Sequence, residues 1–175
     1  VNPPRPNIGG EWAGIHHDKK AMWVARWTAP ITGKPKYVFL ARASKQRGSR
    51  DLKKYELARK LKKRVNKIRK NYQQMMQLGQ PLKRRQIATA VYLIDRLALR
   101  AGNEKSQDEA DTVGATSLRK EHITTLPANT IKLDFLGKDS VRFLQTLQID
   151  ALAYTCLCEF MQGKASDEAV FDLVS

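Results

Sequence analysis

Two cations stand where residue type and surroundings allow chemistry. Arg100 lies in "LALRAGNEK" (97–105), after a run of leucines and before a small Ala-Gly pair. The helical apolar pattern asks for a core residue there, and pattern alone gives no reason for a cation. Lys138 lies in "FLGKDS", a turn between two apolar runs, where Gly137 can take the positive φ that such turns often need. A lysine at that place is either a solvent-facing turn residue or an ammonium carried on a rigid hairpin into a nucleic-acid groove, able to donate a proton to a leaving oxygen. A third feature is a run rather than a point: residues 42–70 hold fourteen Lys/Arg against two acids, Asp51 and Glu56. A solvated helix face usually mixes signs to gain weak pairing, whereas a nearly pure cationic face repels itself until phosphates neutralise it. Trp23, Lys36 and Tyr37 could add groove contacts, although aromatics at strand spacing also serve as core.

Other chemistries lack their residues. His16, His17 and His122 fit no Ser/His/Asp, HExxH, P-loop or zinc-finger spacing, and the adjacent His16-His17 pair reads as polar surface. Cys156 and Cys158 form a C-x-C without a second cluster, which fits free thiols better than a disulfide framework or a zinc site. No metal and no cofactor are expected.

The elements that must position these groups follow from periodicity. Residues 1–10 are Pro/Gly-rich and extended, and "AMWVARW" (21–27) and "KYVFLA" (36–41) read as two antiparallel strands around a loop with Pro30, Gly33 and Pro35. From Asp51 the period changes to a helix of about seven turns, with Leu52, Tyr55, Ala58, Leu61, Val65, Ile68, Tyr72 and Met75 on one face and Ser49 or Asp51 as its cap. Gly79 and Pro81 end it. A second helix begins near Leu82, with Ile87, Ala90, Val91, Ile94, Leu97 and Ala98 on its apolar side and Arg100 at its C-terminal end. Residues 117–126, 130–136 and 140–147 alternate as three antiparallel strands, and a last helix spans about 150–162. The class is α+β.

Charge divides the chain. Residues 1–100 hold 25 basic and 5 acidic residues, whereas residues 101–175 hold 7 and 12, so the halves carry +20 and −5 within a total of +15. Such a surface points to a polyanion, with nucleic acid foremost. No stretch approaches the roughly 20 apolar residues that cross a bilayer, no membrane partner is expected, and the absence of an initial Met fits an internal fragment.

Four ordered blocks, "KYELARKLKKRVNKIRKNY", "YLIDRLALRAGNEK", "ADTVGATSLRKEH" and "LDFLGKDSVRF", closely resemble the core of the eukaryotic type IB DNA topoisomerases. The likeness runs from "WAGIHHDKKAMWVARW" to "VFDLVS", nearly the whole chain. It implies the end of a β-rich core subdomain over 1–50, then over 51–175 the first part of a helical DNA-breaking-rejoining domain, similar to tyrosine recombinases, with a three-stranded antiparallel sheet. By resemblance, Arg100 is one of two active-site arginines on the scissile phosphate, and Lys138 is the active-site lysine on a hairpin entering the minor groove. Trp23, Lys36, Tyr37, Lys54, Asn103, Lys105 and Thr112 match the family's other DNA contacts. Asp139 matches a residue lining the pocket of camptothecin-type inhibitors. The implied activity is relaxation of supercoiled double-stranded DNA through a 3′-phosphotyrosyl intermediate, in the nucleus or on organellar DNA, without ATP or metal.

The family's second catalytic arginine, its histidine and its nucleophilic tyrosine have no match here, and Tyr37, Tyr55, Tyr72, Tyr92 and Tyr154 all lie outside the nucleophile's context. The resemblance therefore implies a partner piece carrying the tyrosine, either a C-terminal portion or the small subunit of two-subunit members, and no activity from this chain alone. "ATS" after "TVG" departs from the Cys-Cys-Ser of relatives. Two other classes share the charge. A tyrosine-recombinase-type strand transferase would need sequence-specific base readout, and a non-catalytic basic DNA-binding module would leave Arg100 and Lys138 unexplained.

Overall fold

Alternating and helical apolar spacings both occur in this chain, and the computed structural model, which describes residues 11–102 and 111–174, resolves them into an α+β fold. Among the described residues are three helices, a two-stranded and a three-stranded sheet, both antiparallel. The chain divides into two compact units, Val1–Lys63 and Arg64–Ser175.

In the first unit, β1 (Trp23–Thr28) pairs with β2 (Pro35–Phe39), the register slipping between Trp23 and Ala25. Gly33 takes φ +62° in the connecting loop, where its N–H donates to the Ala29 carbonyl at 2.9 Å. Helix α1 (Lys45–Met75) starts six residues earlier than its apolar period, because Ser44 caps it: the Ser44 hydroxyl accepts from the Arg47 N–H at 3.3 Å. Ser49 and Asp51, the expected caps, lie inside the helix. The expected apolar face is covered only at its far end. Leu52, Tyr55 and Leu61 are 61%, 63% and 55% exposed, whereas in the second unit Tyr72 is buried and Ile68 and Met75 pack on the core.

The second unit holds that core. Helix α2 (Leu82–Leu97) and helix α3 (Ala151–Met161) pack with a sheet in the order β3 (Ile123–Leu126), β4 (Thr130–Leu136), β5 (Arg142–Gln148). The central strand buries Ile131, Leu133 and Phe135 and turns Lys132 and Leu136 outward, the alternation of a sheet with one covered face. Met76, Leu93, Leu118, Leu157 and Val170 complete the interior, each such side chain stabilising the fold by about 2 kcal/mol.

Two expectations need correction. The first expected strand supplies only residues 123–126, since Ala115–Ser117 and Lys120–His122 form 3₁₀ turns. Side chains take the backbone there: Ser117 Oγ accepts from the Gly114 N–H at 3.0 Å and His122 Nδ1 from the Arg119 N–H at 3.0 Å. The buried face of α2 is centred on Ala88, Thr89, Tyr92 and Leu93, with Ile87, Val91, Ile94 and Leu97 only half-buried and Ala98 exposed. Two polar residues rotate it that way. Gln86 binds the C-terminal segment, donating to Asp172 Oδ1 at 2.7 Å and accepting from the Leu173 N–H at 2.9 Å. Arg85, 5% exposed, forks onto Glu159 of α3 and donates to Cys156 Sγ at 3.6 Å.

That fork makes a prediction. Removing one partner of a buried pair strands the other charge, whereas replacing the ion by an apolar chain of similar volume is often tolerated. Glu159→Ala should therefore destabilise the protein by about 2 kcal/mol, moderated by the 40% exposure of the Glu159 side chain, and Glu159→Ala with Arg85→Met should recover most of the loss. Urea denaturation of the three proteins measures both; a double mutant no more stable than the single would refute the pairing argument.

Candidate functional site

Helix α2 stops at Leu97, and Ala98 turns left-handed at φ 53°, ψ 31°. Arg100, expected at the C-terminal end of the helix, stands just beyond it, with Leu99 buried and its own side chain exposed. Among the described residues two oxygens hold its guanidinium: Nη2 donates to Thr112 Oγ1 at 2.9 Å and Nε to the Val113 carbonyl at 3.4 Å. Its backbone is fastened as well. The Arg100 carbonyl accepts from the Ala115 N–H at 2.9 Å, and the Ala101 carbonyl accepts from the Thr116 N–H at 2.7 Å and the Thr116 hydroxyl at 3.0 Å.

The Ala-Gly pair that looks flexible in sequence is a tight crossing. Gly102 takes φ +114°, and a Cβ on Gly114 would come within 2.4 Å of the Gly102 Cα. Only two glycines let the backbones meet so closely.

Lys138 sits at the tip of the β4–β5 hairpin with its side chain exposed and, among the described residues, without a hydrogen-bonding or charged partner. The positive φ falls on Asp139 (59°) and Ser140 (58°), not on Gly137, which is extended at φ −85°, ψ −161°. The turn closes through the Gly137 N–H to the Val141 carbonyl (2.8 Å) and the Val141 N–H to the Lys138 carbonyl (3.3 Å), so the reversal lies after Lys138. Asp139 tolerates the left-handed region because its short polar side chain suits it. Below the tip, Phe135 and Phe143 stack at 5.1 Å, and Arg142 forks onto Asp134 at 2.8 and 2.7 Å. That guanidinium holds the Asp134 carboxyl below its usual pKa.

One backbone bond joins the two places: the Val113 N–H donates to the Leu136 carbonyl at 2.7 Å. Val113 carries an oxygen that holds Arg100, and Leu136 lies two residues before Lys138. The structure thus brings Arg100, Thr112 and the Lys138 hairpin into one assembly.

Sequence reasoning missed what braces it. Arg119 forks onto Asp111, beside Thr112, and donates to Glu121; the two carboxylates raise its pKa, the bond to Asp111 foremost. His122 is buried with its ring 6.0 Å from Phe135 of β4. Its Nδ1 accepts, which leaves the ring proton on Nε2, and burial, then the Arg119 charge, pushes its pKa down. The only sequence signal was the position of both residues inside "SLRKEH".

The other expected contacts separate. Trp23 and Tyr37 share a face of the first hairpin, rings 6.0 Å apart, with the Arg26 guanidinium 5.8 Å from the Tyr37 ring. Lys36, adjacent to Tyr37 in β2, projects to the opposite face, paired with Trp27. Lys54 is exposed on α1 in that same unit. Asn103 and Lys105 lie outside the described residues. In the second unit every tyrosine serves packing: Tyr72 donates to Asp95 Oδ2 at 3.0 Å, its pKa pushed up to about 12 by burial above all, Tyr92 accepts from the Asp150 N–H at 2.9 Å, and Tyr154 donates to the Leu126 carbonyl at 3.0 Å. Among the described residues, no group of three His, Cys, Asp or Glu could hold a metal, and no helix is long and apolar enough to cross a membrane.

Arg100 and Lys138 thus stand on loops that one backbone bond joins, and cations of these two types favour anionic oxygens. Comparison with known proteins supplies the family. Residues 43–175 match the family described as eukaryotic DNA topoisomerase I, catalytic core, and residues 1–40 match its DNA binding fragment. The chain belongs to the eukaryotic DNA topoisomerase I family. It is 48% identical to DNA topoisomerase 1 of Candidozyma auris over 98% of its length, 46% to that of Schizosaccharomyces pombe over 100%, and 43% to that of Homo sapiens over 97%. It spans 23%, 22% and 23% of those relatives.

Two predictions follow from this geometry. Gly114→Ala should cost about 2 kcal/mol or more, because the new methyl meets Gly102 backbone that cannot swing aside, while Gly79→Ala, facing open space, should be near neutral. Equal melting temperatures for the two variants would contradict the crossing. For His122, a folded pKa below the unfolded value means the unfolded chain binds more protons, so stability is full above about pH 6.5 and falls as the pH drops toward the folded pKa. His122→Gln should flatten the decline of the unfolding midpoint between pH 7 and 5; an unchanged slope would remove His122 as its cause.

Proposed function

We propose that this chain supplies the duplex-gripping surface and two catalytic cations of a type IB DNA topoisomerase, which relaxes supercoils by cutting and resealing one strand. In that reading Arg100 grips the scissile phosphate. A tyrosine oxygen attacks the phosphorus, negative charge grows on the non-bridging oxygens, and a guanidinium already fixed by Thr112 and Val113 stabilises it with little reorganisation. Lys138 protonates the departing 5′-oxygen, and the exposed tip of a stiff hairpin suits that delivery. The 3′-phosphotyrosyl ester keeps the bond energy, so the swivelled strand reseals without ATP. The tyrosine comes from a C-terminal portion or a small subunit, in line with the packing roles of Tyr72, Tyr92 and Tyr154. Nuclear DNA is the proposed substrate in the cell.

The supporting observation is the Val113–Leu136 bond, which ties the Arg100 loop to the Lys138 hairpin. Binding itself falls to the cationic run at 42–70, with Lys54 among its exposed members, and to Trp23, Lys36 and Tyr37; contacts of that kind reach the phosphate backbone largely without regard to sequence. Asp139, beside Lys138 in the left-handed turn, is the residue through which an intercalating inhibitor would be felt.

A sulfur-for-oxygen exchange at the scissile 5′-bridging position tests the division of labour in the full-length enzyme. Lys138→Ala and Arg100→Ala should each slow single-turnover cleavage of ordinary DNA by about 10² to 10³. A thiolate leaves without a proton, so the sulfur substrate should restore Lys138→Ala but not Arg100→Ala. Equal rescue of both, or of neither, would remove Lys138 as the acid.

A further inference from the structure

Arg119 has no part in the reaction proposed above, yet it holds two carboxylates, one of them on the residue next to Thr112. Its Nη1 and Nη2 donate to Asp111 Oδ1 and Oδ2 at 3.1 and 2.7 Å, and its Nε to Glu121 Oε1 at 2.6 Å. The side chain is 27% exposed. Its backbone is anchored at the other end of the unit: Arg119 bridges to Ala169, the Val170 N–H donates to the Leu118 carbonyl at 2.8 Å, and the Lys120 N–H donates to the Glu168 carbonyl at 3.0 Å. Val170 is itself fully buried. The guanidinium therefore reaches from a fixed base to the residue next to Thr112, and Thr112 holds Nη2 of Arg100.

We propose that Arg119 is a positioning residue for Arg100: by clamping Asp111 it fixes Thr112 Oγ1 and the Val113 carbonyl, the two oxygens that aim the Arg100 fork. The proposal rests on the phosphate-gripping role of Arg100. Arg119 itself faces two carboxylates, so its charge is already answered inside the protein, and phosphate has little call on it. Asp111 takes both Nη donors and Glu121 takes Nε, two different edges of one planar group, and an ammonium cannot hold both in that geometry. A small misplacement of an oriented group costs rate more than affinity.

The test uses full-length enzyme, a duplex oligonucleotide, single-turnover cleavage at saturating DNA, and equilibrium binding over a salt series. Arg119→Ala should slow cleavage by about 10- to 100-fold with Kd and salt slope unchanged, and Arg119→Lys should recover only part of the loss. In an Arg100→Ala background, Arg119→Ala should cost nothing further. A full extra loss there, or wild-type cleavage by Arg119→Ala, would overturn the proposal. Wild-type cleavage by Arg100→Ala alone would overturn the phosphate role instead. Amide hydrogen exchange tests the geometry apart from the reaction: Arg119→Ala should speed exchange at Val113 and Ala115 while Ile131 and Leu133 stay protected. No change at Val113 and Ala115, or an equal rise at all four, would make Arg119 a residue of the general fold.

Discussion

The bond from the Val113 N–H to the Leu136 carbonyl, 2.7 Å long, is the constraint on which the site depends. Arg100 and Lys138 are both exposed, both follow the end of a regular element, and they stand 38 positions apart in the chain. Left to loop entropy, neither would hold a position relative to the other. Val113 is 3% exposed, so its N–H must find a partner inside the protein, and the strand end supplies the acceptor. Breaking the bond would bury an unpaired donor, which costs more than the bond's modest net contribution. The Gly102–Gly114 crossing removes the other route of escape, because the loop cannot slide without moving backbone into backbone.

Cations have two distinct employments in this protein. Arg69, Arg85, Arg119 and Arg142 each face a carboxylate, and each such pair ties separate pieces of the second unit together. Arg69 and Tyr72 converge on Asp95, holding its carboxyl below the usual range, so the end of α1 is fastened to α2. By contrast, among the described residues the oxygens that hold Arg100 are an alcohol and a peptide carbonyl, and the Lys138 ammonium has no partner. Neutral oxygens orient a guanidinium without cancelling its charge. Under the proposed function, that leaves the charges of Arg100 and Lys138 available to a phosphate.

Regular elements were legible in the sequence wherever period and capping agreed. The strand Thr130–Leu136 and the helix Ala151–Met161 lie within a residue of where alternation and helical spacing put them, since each buries a face set by its own apolar residues. Legibility failed where a polar group competed. Ser44 caps α1 outside the apolar period, Gln86 and Arg85 turn α2 onto a different face, and His122 and Ser117 draw the backbone out of strand into 3₁₀ turns. The positive φ after Lys138 went to Asp139 and Ser140 because the hydrogen bonds of the turn, not glycine's freedom, decide where it reverses. Arg100 stood out in the sequence as an anomaly of type and place and Lys138 as a lysine at a turn, while the roles proposed for them came from the resemblance. The brace of Arg119 on Asp111 was not legible, because it joins side chains whose nearness only the folded loop creates.

The central claim is that Arg100 and Lys138 act as one unit on one phosphate. Its most direct test is a crystal structure of the full-length enzyme on a duplex trapped at the cleavage site. The account predicts the Arg100 guanidinium on a non-bridging oxygen and the Lys138 ammonium beside the 5′-bridging oxygen of the same phosphate, both within about 3.2 Å. Finding them on different phosphates, or the Val113–Leu136 bond broken in the complex, would contradict it.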